Sequence, residues 1–116
     1  MKMYIVEPQL IFVPNLVQAL NEAGATIVRV RDILDPLDIL RIRPTVVFFD
    51  DEGSMQDTMQ IFRFLFATLP LLTIVLYSSA LPYVDLLAEN DRSKLVFIPK
   101  SATREALIEA IQQHIT

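Results

Sequence analysis

The chain has no cysteine, one histidine and two glycines among its 116 residues. Without cysteine there is no disulfide framework, no thiol nucleophile and no thiolate zinc site. His114 alone cannot build a histidine cluster. Two glycines leave no glycine-rich phosphate loop, no Gly-x-Ser-x-Gly elbow occurs, and no histidine follows a strand to act as a base. Long apolar runs are lacking too: Leu69 to Tyr77 is broken by Pro70 and Thr73, well short of the roughly 20 residues of a membrane-spanning helix. The start, Met1-Lys2-Met3-Tyr4-Ile5-Val6, has neither a long apolar region nor a small-residue cleavage site, so it reads as a first strand rather than a signal peptide. A soluble cytoplasmic protein with no membrane partner is expected. Positive charge is also scarce, with 10 Lys and Arg against 14 Asp and Glu and a net charge of -4. That balance argues against a nucleic-acid partner, which calls for a basic face. Arg29, Arg31, Arg41 and Arg43 are loosely grouped and read as decoration of a strand end and a loop.

What is present is apolar residue, at 53% of the chain with 21% charged and a mean hydropathy of +0.42. That is enough for a core without staples, and the length suits one domain over residues 1–116. Five short runs rich in β-branched and aromatic residues recur: Met3 to Val6, Thr26 to Val30, Thr45 to Phe49, Leu72 to Leu76 and Leu95 to Ile98. Helix-length segments separate them, which predicts βα repeats on a parallel sheet covered on both faces. The first helix spans about Leu10 to Ala23, beginning near Pro14 or bending there, and stops at Gly24. Others are expected near Pro36 to Ile42, near Met55 to Leu69, from around Pro82, and from about Thr103 to His114. The prediction is a doubly wound α/β fold of the flavodoxin-like (βα)5 kind, strand order 2-1-3-4-5, with helices one and five on one face and the other three opposite.

Ligands of such sheets bind beyond the carboxyl ends of the strands. Glu7-Pro8 follows the first strand, Asp50-Asp51-Glu52 the third, Ser78-Ser79 the fourth and Lys100 the fifth. Asp50 directly follows the apolar run Val46-Val47-Phe48-Phe49, which fixes its carboxylate at the top of the central strand as a nucleophile requires. Asp51 and Glu52 precede a helix and read as solvated loop or cap residues, and Ser78 and Ser79 read individually as caps. Lys100, after Phe97-Ile98-Pro99, comes beside the third-strand carboxylate, where an ammonium can neutralise an acyl phosphate.

The order Val6-Glu7, Phe48-Phe49-Asp50, Ser78-Ser79-Ala80 and Ile98-Pro99-Lys100-Ser101 resembles the receiver domain of bacterial response regulators over the chain from Met3 to the last helix. The resemblance implies that Asp50 accepts a phosphoryl group from a sensor histidine kinase. It implies that Ser78 (Ser79 if the alignment slips by one) hydrogen-bonds the phosphate, that Lys100 is the family's lysine, and that Phe97 is its aromatic switch position. Receivers hold Mg²⁺ through two adjacent acidic residues after the first strand; here Glu7 is followed by Pro8, which has no side-chain oxygen. A weak or lost Mg²⁺ site on Glu7 and Asp50 is expected, with Asp51 or Glu52 as stand-ins outside the family pattern. The Met-Pro pair usual after the phosphoacceptor is absent, and Lys100-Ser101 replaces the usual Lys-Pro.

The third helix, with Ile61-Phe62-Arg63-Phe64-Leu65-Phe66, holds more apolar residue than one buried face can take. With Met59, Phe62, Leu65, Phe66 and Leu69 on the sheet, Phe64 and Ile61 face outward; with Ile11 and Phe12 they suit a docked protein. Three functions are therefore weighed: a phosphoaccepting receiver at Asp50; a degenerate receiver, not an enzyme, that signals by protein contact; and a flavodoxin-like enzyme or binding protein. The third is disfavoured by the absent phosphate loop, elbow and base. A symmetric dimer through the fourth helix, fifth strand and fifth helix is implied by the resemblance.

Overall fold

The computed structural model describes residues 1–51 and 55–115. Five parallel strands form one sheet: β1 (Lys2–Val6), β2 (Thr26–Arg31), β3 (Val46–Asp50), β4 (Thr73–Ser78) and β5 (Leu95–Pro99). Their order is β2-β1-β3-β4-β5, so the predicted doubly wound flavodoxin-like topology is the observed one. β3 runs through the centre with all five residues buried, which is why its sequence is apolar up to Asp50.

Between the strands lie α1 (Val13–Glu22), α2 (Pro36–Ile42), α3 (Met55–Thr68), α4 (Glu89–Arg92) and α5 (Arg104–Ile115). Leu20 and Ala23, with Leu107 and Ile111, pack on Met3, Ile5, Phe48 and Val75, placing α1 and α5 on one face. Ile39 of α2 and Met59, Phe62, Leu65 and Phe66 of α3 pack on Tyr4, Val47 and Ile74, on the other face.

The local stops follow from residue chemistry. A 3-10 turn at Leu10–Phe12 precedes α1, and Pro14 sits in the first helical turn, where its missing N–H costs nothing. At the far end Gly24 takes φ +99°, which a side chain would strain, and the Ala25 N–H returns to the Leu20 carbonyl at 3.0 Å. The Asp35 carboxylate caps α2 by accepting from the N–H groups of Leu37 and Asp38, with Pro36 in the first turn. The Thr103 hydroxyl accepts the Ala106 N–H, capping α5.

The expected fourth helix is the main departure. Pro82 starts no long helix: a 3-10 turn at Val84–Leu86 and the four-residue α4 replace it, and only Leu87 between them is buried. The segment has too few spaced apolar residues to give a helix a buried stripe. One further irregularity lies at the β2 edge, where the register with β1 steps from Met3–Ile27 to Tyr4–Arg29 and leaves Val28 as the extra residue of a bulge.

Candidate functional site

The doubly wound sheet delivers the strand-end residues to one edge. Glu7 leaves β1 fully buried, its N–H donating to the Arg31 carbonyl at 2.9 Å, so β2 holds it in line with the sheet. Asp50 closes β3 opposite Tyr77 and is buried. The Lys100 N–H donates to the Ser78 carbonyl at 3.1 Å, which carries the β4–β5 pairing one residue further and turns the lysine towards the centre. Its ammonium stands 2.5 Å from Asp50 Oδ1 and 5.7 Å from the centre of the Tyr77 ring. The predicted partnership of Asp50 and Lys100 is therefore formed.

Ser78, the last residue of β4, is buried, whereas Ser79 is exposed. Its hydroxyl donates to Asp51 Oδ2 at 3.3 Å and accepts the Ala80 N–H at 3.1 Å. Asp51 was expected to be a solvated loop or cap residue. It is buried instead, because its N–H donates to the Tyr77 carbonyl at 3.0 Å and extends the β3–β4 pairing past Asp50. No sequence pattern marked it, since an acidic residue between a strand and a helix ordinarily faces water.

Phe97, on β5, is half-buried and packs against the α2/α3 core. The partner-surface residues separate. Phe12 is 51% and Phe64 47% exposed, as expected, while Ile61 is half-buried against the core rather than outward. Ile61 lies one residue before buried Phe62, near enough to the sheet-facing stripe to be drawn in. Phe12 also lines a groove of about 790 Å³ between α1 and α5, which reaches Glu7, Asp50 and Lys100.

For Mg²⁺, Glu7 and Asp50 each bring a carboxyl group to this edge, and Pro8 brings none. Among the described residues no three acidic, histidine or cysteine side chains gather as a metal-holding group. Glu52 lies outside the described residues. An ion that prefers carboxylate and water oxygens at about 2.0–2.1 Å is poorly served by this donor set, with the Lys100 ammonium already on Asp50.

No protein-family model and no curated protein sequence matches the chain. Solved structures do. A LuxR-family DNA-binding response regulator from Staphylococcus aureus superposes with a TM-score of 0.72 at 19% identity, covering 97% of each chain. The chain has the receiver-domain fold. A response regulator from Thermotoga maritima gives 0.72 at 18% identity, over 98% of this chain and 96% of that one. A pilus assembly-related protein from Burkholderia pseudomallei shares the receiver fold equally well, at 0.73 with 12% identity, over 98% and 88%. Among the described residues no helix is long and apolar enough to cross a membrane.

Proposed function

We propose that the chain is a receiver-like signalling module of two-component or phosphorelay systems, with an impaired Mg²⁺ and phosphorylation site, that acts by contact with another protein. The observation carrying this reading is the composition of the strand ends: Asp50 is paired with Lys100 and Ser78 closes the neighbouring β4, but Pro8 stands where a second metal-holding acid is needed. Phosphoryl transfer depends on cations placed where negative charge develops. Here the Lys100 ammonium is paired with Asp50. The partner is a sensor histidine kinase or another signalling protein, received on the exposed apolar residues around Phe12. Pairing of two copies would rest on β5 and α5, since α4 offers a single turn. Occurrence of the fold in a pilus assembly-related protein, outside the response regulators, agrees with use as a contact module. In this reading the domain is not an enzyme.

A second reading is favoured by the 2.5 Å approach of Lys100 to Asp50: a working phosphoacceptor, in which Asp50 takes a phosphoryl group, Lys100 neutralises it and Ser78 hydrogen-bonds it. Amide NMR of the wild type and Asp50→Asn, titrated with Mg²⁺ and then beryllium fluoride, separates the two. No response at millimolar metal is expected. Saturable shifts at Asp50, Ser78 and Lys100 that vanish in Asp50→Asn establish the phosphoacceptor and overturn the impaired site.

A further inference from the structure

Ser78 joins two parts of the molecule. Its hydroxyl accepts the N–H of Ala80, at the start of the segment to α4, and gives its own proton to Asp51, just past β3. A serine hydroxyl has one proton and two lone pairs. With Ala80 on a lone pair, the acceptor of the proton decides which way the hydroxyl turns. That acceptor is set by the sheet, because the Asp51 N–H is bonded to Tyr77 and its carboxylate is buried beside β4. At 3.3 Å the contact is longer than the roughly 2.5–3.0 Å of a tight O–H···O bond, so it orients the hydroxyl electrostatically more than it clamps it.

We propose that Asp51 is a positioning residue that supplies, from within the chain, the anion that orients Ser78, and that it thereby holds the β4–α4 segment in place without phosphate. This rests on the receiver-like reading of Ser78. The held segment carries Leu81, Tyr83 and Val84, all with exposed apolar side chains, so the Asp51–Ser78–Ala80 chain sets how an apolar surface is displayed. A phosphoryl group on Asp50 must compete with Asp51 for the one hydroxyl proton.

Hydrogen exchange at the Ala80 amide tests this on the intact chain. In Ser78→Ala, which deletes the acceptor, Ala80 exchange is expected to accelerate roughly fivefold, the effect of one lost hydrogen bond, and Asp51→Ala should accelerate it in the same direction by a smaller factor of roughly twofold. Asp51→Asn keeps an oxygen at the position and should retain most of the protection, whereas Asp50→Asn should leave it unchanged. Wild-type protection at Ala80 in Asp51→Ala, or equal loss in Asp50→Asn, overturns the proposal. The beryllium fluoride titration is a separate arm: a wild-type response there refutes the impaired site, while the dependence of Ala80 on Asp51 is still read in the unliganded protein.

Discussion

Asp38, on α2, and Asp50, at the end of β3, are both buried carboxylates with different surroundings. Asp38 receives the hydroxyl of fully buried Tyr4 at 2.7 Å, Arg29 at 3.2 Å, Arg31 at 3.4 Å, and Arg41 at closer range. Tyr4 on β1 stands in register with Arg29 on β2, so sheet and helix bring the network together. The Tyr4 hydrogen bond, aided by Arg41 and Arg29 and opposed by burial, holds the Asp38 carboxyl below its usual range. Burial, and then the bond to Asp38, pushes the Tyr4 phenol up. At the other site Asp50 is paired with the ammonium of half-buried Lys100. A buried charge kept for stability is surrounded by opposite charge and donors.

The comparison can be broken by substitution, beginning with the largest effect. Asp38→Ala leaves three guanidinium groups and a buried phenol without their common acceptor, and should give the greatest fall in stability of any change at either site, read by urea unfolding. Tyr4→Phe should cost about 1.5–3 kcal/mol, the range for a hydrogen bond to a charged group, in the same assay. The smallest effect is expected at the strand-end edge. Asp50→Asn should change stability by no more than about 1 kcal/mol, since it gives up one ion pair to the partly exposed Lys100. A loss as large as that of Tyr4→Phe would mean that Asp50 is held for stability after all.

Much of this was legible in the sequence. Five apolar runs with helix-length spacers pointed to a parallel sheet, because strands buried on both faces are apolar at nearly every position, and the strand order followed from the flavodoxin-like architecture expected of it. Asp50, Ser78 and Lys100 could be placed at the same sheet edge because each lies one or two residues past such a run. The Asp38 network could not: Arg29, Arg31 and Arg41 look like surface decoration, and only the pairing of β1 with β2 brings Tyr4 under them. Asp51 was missed for a related reason, since its burial depends on backbone pairing continued past the last apolar residue. The fourth helix was overestimated because Pro82 is a good start signal even where no apolar stripe follows.

The outer strands carry a further consequence. Along β2 the extra residue Val28 changes the step of the ladder midway. On β5 the Lys100 N–H turns inward to Ser78, so the preceding residue turns its nitrogen outward, and that residue is Pro99, which has no hydrogen to give. A stray strand would lose its register against one border and find a donor missing at the other. The sheet is thus kept five strands wide by its own borders, and a crowded solution offers it little template for growth into fibres.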